Sequence, residues 1–569
     1  MTGECYINGY DIYVEFGVTP ITGTFQELLK TVDPKAPIVI DWENEHGEEV
    51  IFPHTPFLQQ ARSFVLPVVL VAVDSADFFR KKAAFEAFLY SGAFVIFFPK
   101  LEMAFNCYFE GCDNYTQLQT VGLAGKQVSS KLSLKIREPN PTVRTLNKEE
   151  HAYGVIIDDA QANPDLTRIG NVNMAKSAVV NDLAMQGTLL GGYLKRFRKN
   201  NGLLYENGAA SVLDGSAGDV VTHMPKFYYL IEDVSATVHK VWVSPYPISG
   251  FRSSTFTVGC FEAAWNNAAA FNVPINALWS VANNSTTFRG GDNTSTNDAL
   301  QKGFLNRART SKSRPQFYTA AQVKGASYGI IDYEAHKALF LLFITKYATL
   351  NSQKAFNAAK SSTGYFQGGL GIGVTDVVSA NWNTWNGNNP LLPCGHGIEA
   401  GMFDAIKPYT LTAFDVGVDK VVSVPTFMGI ENSFGHLWEW TQGINFLKEE
   451  AAFKAYIYDN GAYEDIIGVK HSRYFEFIKT QGFVKNMKLG AHFDLIASQI
   501  ESGASSSTYM CDYFYNDTVL GLRGLLRSGG ADGGSFAGLV YAISHYTVAD
   551  SHALIGSRLG FYGRVRPGV

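Results

Sequence analysis

The most constraining feature of this chain is an acidic residue between two tryptophans, in the stretch WEW at residues 438–440. Alternation along a strand puts Trp438 and Trp440 on one face and Glu439 on the other. Two neighbouring tryptophans indicate a core strand, and a buried carboxylate must be paired with a cation. Arg527 in LLRSGG and Arg558 in IGSRLGF are natural partners. We therefore predict that one of these arginines lies beside Glu439.

Length and composition predict a mainly β protein with some α structure. The 569 residues are too many for one hydrophobic core, so we expect about three or four domains. Charged residues make up only 17% of the chain, whereas aromatic residues reach 13% and glycine occupies 54 positions. This balance suits β-rich domains with ordered loops and does not suit a disordered chain. The net charge of -5 gives no excess of positive charge for binding nucleic acid, so nucleic acid is not an expected partner.

Residues 1–140 are predicted to form one β-domain. An apolar pattern at Phe78, Phe85 and Leu89 that stops at Gly92 predicts a helix over 77–92. Strand-like, often aromatic runs make up the rest of this domain: 10–17, 63–73, 93–99, 103–115 and 131–143. A proline- and asparagine-rich exit after the last run marks a plausible boundary.

Two further units follow in this interpretation. Residues 145–235 are predicted to be a connecting β-domain, in which Phe227, Tyr228 and Tyr229 place aromatic rings on both faces of one strand. Residues 236–569 form the largest unit, an α+β domain. Apolar residues at helical spacing predict one long helix over 333–356.

The chain ends on a segment of narrow composition. Residues 531–554 contain no Lys, Arg, Glu, Gln, Met, Trp, Pro or Asn. Each residue in this segment can be encoded by a codon that ends in a pyrimidine. Substitution at the adenines of AAC- or TAC-type codons would produce this restricted set of residue types. A glycine- and serine-rich β-loop with a coincidental composition is the alternative.

Several of these patterns resemble known families. The layout of residues 1–140 resembles the tail-hub domains of tailed bacteriophages, and LTRIGN with DVVTHMPKFYY resembles segments of phage tail-fibre proteins. About the last 330 residues resemble the C-type-lectin-like fold of the formylglycine-generating-enzyme branch, most closely from Gly429 onward. This resemblance rests on twelve positions: Gly429, Asn432, Gly435, Trp438, Glu439, Trp440, Arg527, Gly529, Gly530, Gly556, Arg558 and Phe561. His436 replaces the usual asparagine, which puts in doubt the calcium site that this resemblance would imply.

Within that fold, the 527–561 region resembles the variable region of retroelement-diversified proteins, such as the phage tropism-determinant type. The resemblance implies that small, aromatic and hydroxyl side chains contact a ligand from a rigid frame. The implied contact residues are Ala531, Asp532, Ser535, Phe536, Leu539, Ser544, His545, Tyr546, Asp550, Ser551, His552 and Leu554. The implied frame comprises Trp438, Glu439, Trp440, Arg527, Gly556 and Arg558, together with Gly533, Gly534, Ala537, Gly538 and Ile555.

Enzymatic function is not expected. The oxidase chemistry of the formylglycine-generating branch needs a cysteine pair near the C-terminal core, where this chain has only Cys511. No HExxH, GxSxG or Walker-type motif occurs. The stretch CGHG at 394–397 offers one thiol and one imidazole, too few for a metal site alone. No cofactor is therefore predicted, with calcium left open.

Together these patterns predict a phage tail-tip or tail-fibre protein that adsorbs to a host surface receptor, either a protein or a glycan. Other tail proteins are the expected partners, the virion is the expected location, and a homotrimer is implied by resemblance alone. No signal peptide or membrane insertion is expected. The alternatives are a bacterial variable adhesin of the same fold and a purely structural baseplate protein.

Overall fold

The protein is mainly β with some helix, which confirms the predicted fold class. This computed structural model describes residues 4–8, 10–36, 38–41, 48–51, 59–101, 103–119, 127–141, 148–170, 197–198, 203–204, 213–216, 218–244, 248, 250–291, 295–296, 303–359, 377–397, 405–458 and 463–563. Its helices span Ile12–Phe16, Thr24–Leu28, Ser75–Leu89, Lys148–His151, Arg314–Gln322, Tyr333–Tyr347, Ser352–Phe356 and Ser379–Asn386, with single 3₁₀ turns at Thr286–Phe288, Gly490–His492 and Gly534–Phe536.

The first sheet is built from residues 6–138 alone. It has seven strands, in the spatial order Tyr10–Asp11, Tyr6–Ile7, Ala93–Phe98, Met103–Gln117, Val128–Glu138, Arg62–Ala72 and Val18–Pro20. Every second residue of Arg62–Ala72 is buried, as expected for a strand with one face on a core. The predicted helix over 77–92 is confirmed as Ser75–Leu89, which covers that core with Phe78, Phe85 and Leu89.

The predicted strand over 10–17 is wrong beyond its second residue. The Asp11 carboxylate accepts hydrogen bonds from the backbone N–H groups of Tyr13 and Val14, so Asp11 caps a short helix, Ile12–Phe16. Gly17, at φ 67°, ends this helix in the left-handed conformation. A local cap therefore outweighs the alternating pattern.

A second, larger sheet joins the middle of the chain to its end. Its main path runs in the order Thr167–Gly170, Tyr153–Asp158, Val238–Ser244, Val221–Asp233, Arg252–Glu262, Ile555–Phe561, Trp438–Lys448, Gly521–Arg527, Ala542–Ile543, Tyr513–Tyr515, Gly482–Met487 and Ala497–Ile500. This larger sheet crosses the predicted boundary near residue 235, because Val221–Asp233 lies before it and pairs with Val238–Ser244 and Arg252–Glu262, which both lie after it.

Further strands extend or flank this sheet. Tyr328–Ile330 pairs with the C-terminal strand, and Phe453–Ile457 and Arg473–Phe477 extend from Trp438–Lys448. The remaining strands form small separate sheets: Ile38–Asp41 with Glu48–Ile51, Phe197–Arg198 with Leu203–Leu204, Ala264–Trp265 with Leu278–Trp279, and Ala405–Asp415 with Val418–Phe427 and Ile430–Glu431.

The predicted single helix over 333–356 is two helices, Tyr333–Tyr347 and Ser352–Phe356. Ala348, at φ 51°, ends the first helix in the left-handed region, and the Asn351 side chain accepts from Lys354 N–H to begin the second. The first helix is buried on nearly all sides within the largest core. An all-round apolar pattern therefore could not show where the helix stops.

The two large sheets are in contact through the Val221–Asp233 strand and its neighbours. Phe227 and Tyr229 are buried on one face, and the half-buried Tyr228 on the other lies beside the Tyr6 side chain of the first sheet. Trp242 packs beside Phe97 in the same apolar cluster. The predicted packing of aromatic rings on both faces of this strand is thus confirmed.

Candidate recognition surface

A buried ionic triad lies at the centre of the C-terminal sheet. Glu439 is 1% exposed, Arg558 donates to its Oε1 from Nε at 3.0 Å, and Arg558 Nη2 lies 2.8 Å from the same oxygen in an ion pair. Arg527 donates from Nη2 to the other carboxylate oxygen. Both predicted partners therefore bind Glu439 at once. Trp438 and Trp440 lie together in an apolar cluster, as the alternation predicted.

Arg558 also ties this triad to other segments. Its Nη1 donates to the carbonyl oxygens of Gly259 and Cys260 at 3.1 and 3.0 Å, and its Nη2 donates to that of Glu431 at 2.9 Å. A guanidinium presents its donors in a rigid planar fork, so these bonds hold three segments at defined distances. The strands that enclose residues 531–554 are thereby joined at one point.

Side chains from other parts of the chain form hydrogen bonds with the backbone of the 531–554 segment. Ser352 Oγ accepts from Leu539 N–H at 3.0 Å, and Gln353 Nε2 donates to Ala537 O at 2.8 Å. Asp512 accepts from Val540 N–H at 2.8 Å, and His336 Nε2 donates to Leu539 O at 2.6 Å. Backbone position here depends on residues elsewhere in the chain.

Burial controls the ionisation of two of these supports. Burial raises the pKa of Asp512 to about 8, in spite of the backbone N–H groups that it accepts. Burial, aided by the positive charge of Arg527, lowers the pKa of His336 to about 3, so this imidazole stays neutral at physiological pH. The carbonyl oxygen of Leu539 therefore accepts its hydrogen bond from a neutral imidazole at physiological pH.

Three predicted contact residues cannot meet a ligand, because they are buried. Ala531 and Leu539 are each 0% exposed and belong to two apolar clusters. Ser544 is also 0% exposed, and its hydroxyl donates to Asn516 Oδ1 at 2.8 Å. Their side chains face inward where the segment meets the core, so the prediction for these three positions is wrong.

The other predicted contact residues retain access to solvent. Phe536 is 38% exposed, and Ser551 and His552 are also exposed. The half-buried positions are Asp532, Ser535, His545, Tyr546, Asp550 and Leu554. Two of these have structural bonds as well: Asp550 accepts from Thr547 N–H at 2.7 Å, and His545 Nδ1 lies 2.6 Å from Asp517 Oδ2. Among the predicted frame residues, Arg527, Gly556 and Arg558 are buried, whereas Gly533 and Gly534 are half-buried.

Phe536 packs against two aromatic residues, Phe483 and Tyr513, that no sequence pattern indicates. Its ring stacks on Tyr513 with centroids 4.4 Å apart, and Phe483 meets it edge-on at 5.2 Å. We call Phe483, Tyr513 and Phe536 the aromatic platform. The Tyr541 ring centroid lies 6.1 Å from that of Tyr513 and 4.5 Å from that of Trp438. Tyr541 therefore connects the platform to Trp438. No sequence motif marks Phe483 or Tyr513; strand pairing places these two opposite each other, and both rings contact Phe536.

A small charged network is centred on Asp517, just after the strand Tyr513–Tyr515. Lys448 Nζ donates to Asp517 Oδ1 at 2.7 Å, on the opposite oxygen from His545. Burial acts to raise the pKa of Asp517, but hydrogen bonds from Lys448 and His545 outweigh it and lower this pKa. The carboxylate is therefore ionised and holds His545 in place.

His436, the departure from the lectin-like pattern, has a structural position. Its Nε2 accepts from Leu391 N–H at 3.0 Å, so its Nδ1 carries the proton that is donated to Glu262 Oε2 at 2.6 Å. Both ring nitrogens are engaged, and His436 is 1% exposed. Over the described residues, no group of three or more His, Cys, Asp or Glu side chains is placed to hold a metal ion.

Comparisons with known proteins add little to this geometry. Neither a known protein family nor a curated protein matches the sequence. Among solved structures, a weak structural neighbour is the SPP1 Dit (gp 19.1) protein, described as a paradigm of the hub adsorption apparatus of phages that infect Gram-positive bacteria. The match covers 45% of this chain and 77% of that one, at 12% identity and a TM-score of 0.17. A match this weak carries no argument about function.

The helices that the structure describes were also compared with the needs of a membrane span. Not one of them is long and apolar enough to cross a bilayer.

Proposed function

We propose that this protein is a phage tail receptor-binding protein that adsorbs to a host-cell surface through residues 531–554 and the aromatic platform. The observation that carries this proposal is that the segment 531–554 has an anchored backbone and exposed side chains. Its backbone is bonded to Ser352, Gln353 and Asp512 from outside, while Phe536, Ser551 and His552 point away from the core. Exposed side chains can then change with little loss of stability.

The chemistry of the exposed positions suits recognition. Aromatic rings supply rigid contact area with few rotatable bonds, and serine and histidine supply adaptable hydrogen bonds. The proposal includes a C-type-lectin-like head, diversification of the exposed positions by a retroelement, and attachment through residues 1–140 to other tail proteins. The narrow palette of residues 531–554 supports the diversification.

Binding of the labelled full chain to a panel of bacterial strains tests the surface directly. Phe536→Ala removes the central ring of the platform, and we expect about ten-fold weaker binding to any strain that the unaltered protein binds. Phe79→Ala is the matched control, because Phe79 is an exposed phenylalanine on the first sheet's helix. Equal binding by both variants, in protein of unchanged melting temperature, would refute the proposed surface.

The neighbouring DNA tests diversification separately. We expect a near-copy of the 3′ coding end that differs at adenines and lies beside a reverse transcriptase gene. Substitutions should map to exposed positions such as Ser535 and Ser551 and spare buried Leu539 and Ser544. Natural variants that change the buried positions as often as the exposed ones would contradict this part.

A further inference from the structure

A polar cavity of about 490 Å³ lies apart from the aromatic platform, between the segments 303–307 and 393–396. Its volume is within the range of small-molecule sites. The described residues that line it are Asn284, Gly303, Leu305, Asn306, Arg307, Pro393, Cys394, Gly395, His396 and Tyr409. This lining contains no carboxylate and includes one arginine, so it does not suit a cationic ligand.

The walls of the cavity are held in place by reciprocal bonds. Cys394 N–H donates to Asn306 O at 2.8 Å, and Asn306 Nδ2 donates back to Cys394 O at 2.9 Å. Behind them, buried Glu431 accepts from Gly395 N–H at 3.1 Å and from Gly397 N–H at 2.5 Å. These bonds position the CGHG stretch on both sides of His396. The cavity is therefore preorganised before any ligand enters.

Three lining side chains have hydrogen-bonding capacity to spare. Asn306 Oδ1 is buried and accepts no hydrogen bond from the described residues. His396 Nε2 donates to Pro408 O at 2.8 Å, which leaves Nδ1 of the neutral ring as an acceptor. The Tyr409 hydroxyl accepts from Arg307 Nη2 at 3.4 Å, which leaves its proton available to donate.

The backbone at Asn306 is also unusual. Its φ of 53° lies in the left-handed region, which costs free energy for any residue other than glycine. Asparagine tolerates this region better than most residues. In this conformation, Asn306 O accepts from Cys394 N–H and Asn306 Nδ2 donates to Cys394 O.

We propose that this cavity binds a neutral pyranose sugar unit, as a second ligand site distinct from the aromatic platform. A sugar hydroxyl donates and accepts at once, so adjacent hydroxyls match Asn306 Oδ1, His396 Nδ1 and the Tyr409 hydroxyl. The rings of His396 and Tyr409, 5.0 Å apart and nearly perpendicular, offer an apolar surface to the C–H groups of the sugar ring. This site does not depend on the proposed function of residues 531–554.

Saturation-transfer NMR on the full chain tests the site with methyl glycosides of glucose, galactose and mannose at about 10 mM, since single sugar units bind weakly. We expect transfer to at least one glycoside, and about five-fold weaker binding by Tyr409→Phe, which deletes one hydroxyl. Tyr90→Phe is the matched control, because Tyr90 is an exposed tyrosine at the end of the helix Ser75–Leu89. Phe536→Ala should leave this signal unchanged.

The contrary outcomes are separable. No transfer to any glycoside overturns the sugar site. The site is also overturned if Tyr409→Phe and His396→Ala, each with an unchanged melting temperature, both show the same transfer as the unaltered protein. Binding of glucuronate without any neutral glycoside overturns the neutral class and indicates an anion site. Loss of the signal in Phe536→Ala places the sugar on the platform and overturns a second site, whatever the outcome of cell binding.

Discussion

Replacement of Glu439 by glutamine perturbs the triad while the side-chain volume stays nearly the same. In the native structure, one carboxylate accepts a hydrogen bond from Arg527 and another from Arg558, forms an ion pair with both, and lies between two guanidinium groups that are 0% exposed. The variant leaves two buried cations with no carboxylate between them. Removal of one partner from a buried ion pair costs about 3–5 kcal/mol, and we expect Glu439→Gln to lose at least that much.

Urea unfolding followed by tryptophan fluorescence measures this loss in the right part of the chain. Seven of the eight tryptophans lie between Trp242 and Trp440, so the signal reports mainly on the part of the chain that follows the first sheet. The control is Glu27→Gln, because Glu27 forms an exposed pair with Lys30 at 2.7 Å and should change stability by less than about 0.5 kcal/mol. A loss below about 1 kcal/mol for Glu439→Gln would show that the triad does not hold the sheet together.

Three further predictions concern the segment, a pH dependence and a helix end. Ala531→Asp should lower the melting temperature strongly because it buries a charge at a 0% exposed site, whereas Ser551→Asp should change stability by less than about 0.5 kcal/mol; similar melting temperatures would contradict the burial pattern. Burial raises the folded pKa of Asp512 to about 8 from 3.8, so the native state holds a proton that the unfolded state releases, and this contribution to stability falls as pH rises between those values. Asp512→Asn should flatten the decline in urea unfolding free energy between about pH 5 and about pH 8.5, and equal slopes would argue against it. Ala348→Gly should raise stability by about 0.5–1 kcal/mol, since φ 51° strains alanine; a lower unfolding midpoint would refute this.

Much of the secondary structure could be predicted from local patterns. Strict alternation in Arg62–Ala72 and the capped helix Ser75–Leu89 carry their own signals, because one face of each is buried and the other is not. Errors arose where a local hydrogen bond competes with the pattern, as at Asp11, or where burial on all sides removes periodicity, as in Tyr333–Tyr347. The pairing of Val221–Asp233 with strands beyond residue 235 could not be predicted, because strand pairing leaves no compositional mark.

The candidate surface divides in the same way. A narrow palette identified residues 531–554, but composition cannot distinguish Ser544, which is buried on Asn516, from exposed Ser551. Phe483 and Tyr513 have no motif, and only the pairing of their strands brings them to Phe536. The cavity around Asn306 arises from two segments nearly 90 residues apart in the chain, 88 positions for the Asn306–Cys394 bond, and no sequence pattern links them.

By itself, the sequence determined that Glu439 must be paired and which two arginines could pair with it, because a buried charge without a partner is too costly to persist. Only the tertiary structure decided that both arginines bind together, that Arg558 also binds four carbonyl oxygens, and that the final segment is supported from outside itself. Pairing requirements are properties of residue types and can be read locally. Which side of a loop faces solvent depends on what packs beneath it, and that is set by residues far away in the chain.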